Sequence, residues 1–341
     1  MKMDRVDISA FLKTMEDVPI IDVRSPGEFD KGHIPGATSI PLFTNEERAV
    51  VGTLYKEQGQ KIAIKKGLSI VGHKMVDFIE QAEAIDARKL HVHCWRGGMR
   101  SESMAWLFER YGLNASILTD GYKAYRKTVL SFFEQPLNLR VLTGYTGCQK
   151  TELLAVMSAQ GAQVIDLEGL ANHQGSSFGN AKTDGQPTSE QFQNNLHAYC
   201  QTLDLSKPIW IEDESICIGH VSLPEALFKQ MSLSPHILIS ADTDQRLQFL
   251  VKDYGDVDPE KLKASTMAIT KRLGKENTIV ILAAIDQGDL YKAASLILGY
   301  YDLQYEKSIS KKTKHMIADV HLVSNQLDSL AAELINNKAC Q

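Results

Sequence analysis

Residues 89–107 read KLHVHCWRGGMRSESMAWL, and this stretch decides the fold. KLHVHCW (89–95) is a strand-like apolar run, and SESMAWLFERYGL (101–113) carries apolar residues at helical spacing. Between them lies a short turn with two glycines and two arginines. A strand feeding a helix through a tight loop is the repeating unit of a parallel α/β sheet.

The unit recurs in both directions. Upstream, VPIIDVR (18–24) reads as a buried strand ending in charge; downstream, ASILTDG (115–121) reads as another. IVGHKMVDFIEQAEAI (70–85) has helical spacing. The pattern resets near 128–138, where KTVLSFFEQ runs into Pro136 and a new strand, NLRVLTGYTG, begins. AQVIDLEGL (162–170), PIWIEDES (208–215), PHILISA (235–241) and NTIVILAAI (277–285) read as further strands. TELLAVMSAQ, PEALFKQM and LYKAASLILGYY read as helices, and 172–191 as a Gly-, Ser- and Asn-rich functional loop. The domains expected are 1–130, 137–306 and a basic, helical tail over 307–341.

The composition suits such a chain. Of 341 residues, 43% are hydrophobic and 23% charged, enough to bury cores in two domains. No apolar run nears the ~18–20 residues of a membrane span, and residues 1–19 lack a secretory h-region. Cys94, Cys148, Cys200, Cys217 and Cys340 are odd in number and form no CxxC pair, which speaks against a disulfide framework or zinc ribbon. A reducing cytoplasm is expected. A net charge of −5 argues against a general nucleic-acid coat but leaves room for a local basic surface.

Two loops carry chemistry. In the first, Cys94 precedes Trp95, Arg96, Gly97, Gly98, Met99 and Arg100, at the N-terminus of a helix. The helix dipole and the two arginines favour a nucleophilic thiolate, and the glycines let the loop curl around an anion. In the second, 144–151 (GYTGCQKT) follows a strand and opens a helix, nearly matching a phosphate loop. Gly144 and Gly147 shape it, Lys150 reaches phosphates, and the Thr151 hydroxyl faces a metal ion if one binds. Gln149 stands where glycine is expected; either its side chain crowds the anion or the position does not need glycine's dihedrals. Glu212, Asp213 and Glu214 end a strand where such folds place a metal- or water-orienting carboxylate. No metal-ligating set is assigned and no tightly bound cofactor is expected, with magnesium left open.

His93-Cys94-x-x-Gly97-x-x-Arg100-Ser101 also has the shape of a tyrosine phosphatase loop. The upstream DVRSPGEF (22–29) and GHIPGA (32–37) resemble the rhodanese signature instead, implying a loop cysteine that carries sulfur or selenium. Asp22, Arg24 and His33 then fix loops near the site. A rhodanese-like domain followed by a P-loop domain resembles the tRNA 2-selenouridine synthases. The matching segments are 21–42, 47–59, 94–101, 121–126, 144–154, 166–179, 212–219, 271–274 and 300–305. The resemblance implies replacement of sulfur by selenium in a 5-substituted 2-thiouridine at the tRNA wobble position. It implies selenophosphate as the selenium donor, geranyl diphosphate as the source of a geranylated intermediate, and Cys94 as the selenium-carrying residue. The chain departs from the family at Gln149, Gln174 and Ile216, where Gly, Arg and Arg are usual. All three fall on the second domain, where they bear on diphosphate handling.

Lys123, Arg126 and Lys127, or Lys311, Lys312 and Lys314, are candidate contacts for tRNA phosphates. The residues leave two other classes open: a thiosulfate sulfurtransferase or Cys-dependent phosphatase, and a non-catalytic tRNA- or nucleotide-binding relative. Oligomeric state is not legible.

Overall fold

Parallel strands buried on both faces need helical crossovers, and the chain supplies them twice. The computed structural model describes residues 3–173, 185–323 and 326–337. It forms two compact units that divide between Phe132 and Phe133.

The first unit holds β1 (Asp4–Val6), β2 (Ile20–Asp22), β3 (Thr38–Ser39), β4 (Lys89–His93) and β5 (Asn114–Leu118) in the order β1-β5-β4-β2-β3. Every pair is parallel. Its helices are α1 (Ile8–Thr14), α2 (Pro26–Lys31), α3 (Asn45–Glu57), α4 (Gln60–Val71), α5 (Met75–Glu83), α6 (Met99–Tyr111) and α7 (Gly121–Phe132). Ile21, Val92 and Ile117 from the strands pack with Phe78, Met104 and Phe108 from the helices. Phe108 is fully buried, so truncation to Ala costs about 3–5 kcal/mol. Ser25 and Glu28 form a capping box that starts α2, and Thr44 with Glu47 starts α3 the same way.

The second unit begins with β6 (Leu139–Gly144), α8 (Lys150–Ala159), β7 (Gln163–Ile165), α9 (Leu167–Ala171) and α10 (Ser189–Cys200). It continues through β8 (Ile209–Glu212), the antiparallel pair β9 (Cys217–Ile218) and β10 (Val221–Ser222), α11 (Glu225–Leu233) and β11 (His236–Ser240). Then come α12 (Thr243–Tyr254), α13 (Pro259–Ala268), α14 (Thr270–Leu273), α15 (Lys275–Asp286), α16 (Leu290–Lys312), β12 (Met316–His321) and α17 (Leu327–Asn336). The parallel sheet has the order β12-β11-β6-β8-β7, with β6 at its centre. The loop at 144–151 therefore leaves the middle strand, at the point where the chain crosses from one side of the sheet to the other.

Two expectations change. NTIVILAAI (277–285) is the body of α15. Thr278, Ile281, Ala284 and Ile285 are buried while Ile279 is 67% exposed, which is helical periodicity; its apolar run resembles a strand only when the period is ignored. Residues after 306, expected as a basic helical tail, finish α16 and then add β12 and α17 to the unit. β12 pairs with β11, and Leu330, Ala331 and Leu334 of α17 enter the sheet's core. A third apolar cluster joins α13 to α16 through Leu262, Leu273, Ile281, Ile285 and Ala293. Of the glycine-rich loop, 174–184 lies outside the described residues, and with it Gln174. Cys340 lies outside them as well. The four described cysteines are free, and among the described residues no helix is long and apolar enough to cross a membrane.

Candidate functional site

In the first unit, β4 ends at His93 and delivers Cys94 to the start of α6. The sulfur is nearly buried and lies 3.3 Å from Oγ of Ser101, in the first helical turn. The positive end of a 13-residue helix thus faces it. The Ser101 hydroxyl also donates to the Gly98 carbonyl, 2.9 Å away, which ties the loop to the helix. Of the two glycines expected to curl the loop, only Gly97 needs to be one. Its φ is +62°, and a Cβ there would stand 2.4 Å from the Leu118 carbonyl oxygen. Gly98 has φ −102° and open space around it.

The arginines divide. Arg96 is exposed. Arg100 donates to both carboxylate oxygens of Glu28, at 2.6 and 3.2 Å. Burial alone would raise the Glu28 carboxyl, but the Arg100 hydrogen bonds and charge, with Ser25 and Arg48, outweigh it and hold it at about 2. Arg100 is therefore already paired, and its charge reaches an anion above Cys94 only in competition with Glu28. Met99 is 44% exposed, and its sulfur accepts from Gln60.

Asp22 and Arg24 sit below the loop and satisfy each other. Arg24 Nε lies 2.9 Å from both Asp22 oxygens, and Arg24 Nη2 also donates to the Gly32 carbonyl at 2.7 Å. Burial pushes the Asp22 carboxyl up, but His93 and Arg24 outweigh it and the net shift is downward. The Arg24 guanidinium lies 3.8 Å over the Tyr122 ring, against which Trp95 also packs. Through the Tyr122 ring, Arg24 is thus one side chain removed from Trp95 of the cysteine loop. His33 stacks on Phe29 and bonds its carbonyl. Beside Cys94 opens a cavity of about 880 Å³ walled by α3, α4 and the cysteine loop. Its sides are mostly apolar, with Phe43, Val51, Gly67, Leu68 and Val71 among them.

In the second unit the loop after β6 carries Gly144, Gly147, Gln149 and Lys150 into the start of α8. A Cβ on Gly144 would meet the Ile239 carbonyl oxygen at 2.2 Å, and Gly147, at φ +80°, lets α12 come close. Gln149 has φ +53° and ψ +35°. Of the two alternatives left open for this position, the second is excluded: it does take the dihedrals that favour glycine. Lys150 donates to the Gly144 and Tyr145 carbonyls, at 3.1 and 3.3 Å, and lies 5.9 Å from the Tyr305 ring centroid. Burial lowers its ammonium, but Tyr305, Cys148, Glu212 and Glu214 more than offset this and the net shift is upward.

The acidic residues separate into two groups. Glu212 and Glu214 come together with Glu168, each offering an oxygen within 4.8 Å of the others. The Thr151 hydroxyl lies 3.3 Å from Glu212. Burial first, then Glu168 and Glu214, push Glu212 well up; burial and Glu168 push Glu214 to about 8. Carboxylates this crowded either hold protons or neutralise a cation, and an all-oxygen set suits a hard ion such as magnesium. Nothing local in the sequence marks Glu168 as a member of this group. Asp213 belongs elsewhere: it accepts from Thr143 at 2.5 Å and from Lys312 at 2.5 and 2.6 Å. That pair also removes Lys312 from the cations expected to meet tRNA. Lys123 and Lys127 are exposed one turn apart on α7. Ile216 is exposed beside β9.

Comparison with known proteins matches each unit to a family. Residues 7–128 match the rhodanese-like domain family, and residues 137–331 match the family described as the tRNA 2-selenouridine synthase AAA domain. A tRNA 2-selenouridine synthase of Alcanivorax borkumensis is 34% identical over 356 aligned positions, covering 92% of this chain and 94% of the relative. One from Shewanella denitrificans is 34% identical, covering 88% and 90%. One from Nitrosomonas europaea is 37% identical, covering 70% and 64%.

Proposed function

The chain belongs to the tRNA 2-selenouridine synthase family, and from that premise we propose that Cys94 is the nucleophile that exchanges sulfur for selenium at the tRNA wobble uridine. The enzyme is a transferase acting on tRNA. The observation that carries the assignment of Cys94 is its place: a sulfur at the N-terminus of α6, in the wall of a mostly apolar cavity.

The chemistry divides between the units. The loop at 144–151 holds the diphosphate of geranyl diphosphate, stabilising the charge that develops as diphosphate leaves. The 2-thiouridine sulfur attacks the first carbon of the geranyl chain, whose bond to oxygen breaks. The base, unstacked from its loop, then meets Cys94. The Cys94 thiolate, acting on the base rather than carrying selenium as the resemblance implied, attacks C2; the geranyl thiolate leaves and takes a proton from water, and the base is left bonded to the cysteine. Selenium of selenophosphate displaces the thiolate at C2, and water cleaves selenium from phosphorus to release phosphate. Splitting one substitution into two lowers each barrier. Glu168, Glu212 and Glu214 with Thr151 would hold a magnesium ion, whose charge supplies further stabilisation of the diphosphate. Lys123 and Lys127 contact tRNA phosphates, and a cytoplasmic location follows from that substrate.

The test is mass spectrometry of wobble nucleosides from cells lacking the enzyme and supplied with wild type or Cys94→Ser. Wild type restores 2-selenouridine. Cys94→Ser yields none and accumulates the geranylated thionucleoside, because Ser is nearly isosteric but a far weaker nucleophile. Full selenation by the variant would remove Cys94 from the reaction.

A further inference from the structure

The hairpin of α3 and α4 lacks the core contacts that usually hold a helix pair. α3 buries none of its 13 residues, and α4 buries only Ala63 and Gly67. One side of the hairpin walls the cavity beside Cys94, through Gly52, Tyr55 and Lys56 of α3 and Ile64, Leu68 and Val71 of α4. At about 880 Å³ the cavity lies within the roughly 300–1,000 Å³ of small-molecule sites, enough for a nucleoside.

The charge around it is one-sided. Arg48, Lys56, Arg96 and Arg100 line the cavity, Arg48 and Arg100 sharing Glu28. Glu102, the one carboxylate among the described lining residues, is taken by Arg5. α4 carries Lys61, Lys65 and Lys66 and no acidic residue. Lys61 and Lys65 stand three residues before Ile64 and Leu68, and so flank the cavity wall along the same helix. No described residue pairs with Lys56, Lys61 or Lys65. In a chain of net charge −5, such a group of unpaired cations marks a surface for an anionic partner.

Two residues indicate what kind of anion. Gly52 lies in the interior of α3, where glycine is less favourable than alanine. Its backbone is helical and a Cβ would meet nothing within 4 Å, so neither dihedrals nor packing within the protein require glycine. A bare backbone in a cavity wall suits the close approach of a flat ligand. Tyr55, one turn on, is half exposed and offers a ring on which a base of single-stranded RNA can stack. A lipid surface would meet the hairpin's cations but has no group to enter the concavity.

We propose that the α3–α4 face is the seat of a single-stranded RNA loop: Lys56, Lys61 and Lys65 hold its phosphates, Tyr55 stacks a base, and Gly52 leaves room for the base that enters toward Cys94. The inference rests on the reading of Cys94 as the residue that meets the wobble base. Nucleoside analysis of Cys94→Ser tests that reading, whereas RNA binding tests the surface, so the two fail separately.

Fluorescence anisotropy of a labelled RNA hairpin with 2-thiouridine in its loop, titrated with the full chain, reads affinity and its salt dependence. Iodoacetamide alkylation of Cys94 with and without the RNA reads whether the base reaches the cavity. Wild type should bind the hairpin and be protected by it. Lys61→Ala combined with Lys65→Ala should weaken binding roughly tenfold and cut the slope of log affinity against log salt by about 1.4, at ~0.7 per phosphate contact on a single strand. Tyr55→Ala should weaken binding at least about fivefold and Tyr55→Phe should not, because the ring alone stacks. Gly52→Leu should raise the melting temperature, since leucine favours helix, and yet lose the protection of Cys94. The raised melting temperature reports an intact fold. A wild type that does not bind the hairpin, or a lysine variant that binds as tightly with an unchanged slope, refutes the surface. So does RNA that binds wild type without protecting Cys94, or protection that survives in Gly52→Leu. Phosphatidylglycerol vesicles bound more tightly than the hairpin, through the same lysines, would assign the face to a membrane and refute the RNA.

Discussion

Glu28, in the first turn of α2, accepts hydrogen bonds of 2.6 and 3.2 Å from Arg100, six residues beyond Cys94. This pair sets how much positive charge the loop presents to the sulfur. Arg100 is influenced electrostatically by Cys94 as well as by Glu28. Glu28→Gln should therefore speed iodoacetamide alkylation of Cys94 at pH 7 several-fold, and Arg100→Ala should slow it. Arg96→Ala, at an exposed position, should have the smaller effect. Equal rates in all four proteins would show that the helix terminus alone activates the sulfur.

The same pair makes stability depend on acid. A carboxyl held at about 2, against an ordinary 4.5, stabilises the fold above about pH 4.5 and loses that contribution as pH falls through about 2. Urea midpoints at pH 6, 4 and 3 should fall for wild type. Glu28→Gln should start lower, by about 1.5–3 kcal/mol for a lost charged hydrogen bond, and fall less. Parallel pH curves would place the acid sensitivity elsewhere.

The loop at 144–151 carries strain at Gln149. A non-glycine residue in the left-handed region costs about 1–2 kcal/mol, so Gln149→Gly should raise stability by roughly 1 kcal/mol and leave diphosphate binding equal or tighter. Lys150→Ala removes a charged contact of ~1.5–3 kcal/mol, roughly a 10–150-fold loss of affinity. Calorimetry with geranyl diphosphate and thermal melts check both. Unchanged affinity in Lys150→Ala would end the phosphate-loop assignment.

Glu214 tests the acidic cluster in the opposite sense to Glu28. Its carboxyl is raised to about 8, so the folded protein keeps a proton that the unfolded chain gives up near 4.5. The charge costs nothing below about pH 4.5, a growing amount up to about 8, and its full amount above. With chelator present, Glu214→Gln should melt higher than wild type at pH 8.5 and about equally at pH 4.5. Magnesium should raise the melting temperature of wild type more than that of the variant. A variant less stable than wild type at pH 8.5 would contradict the crowding.

Much of the candidate site is legible in the sequence because its signals are local. Cys94 with its glycine turn, and Gly144 with Lys150, sit in strand–loop–helix units whose period changes within a few residues. What was missed involves partners far apart in the chain. Glu28 and Arg100 are 72 residues apart, Asp213 and Lys312 are 99 apart, and Glu168 reaches Glu212 across 44. Charge type alone does not say which carboxylate a cation will find.

By itself, then, the sequence determined two parallel α/β units, the turn that presents Cys94 and the loop that presents Lys150, because apolar period and turn chemistry act over short spans. Only the tertiary structure decided that Arg100 is paired with Glu28, that Asp213 serves Lys312 and that Glu168 completes the acidic cluster. It also made 277–285 a helix and put Gln149 in the left-handed region. Parallel strands are joined by long crossovers, so the neighbours of a strand end come from distant segments. Their identity depends on strand order, which local pattern does not encode.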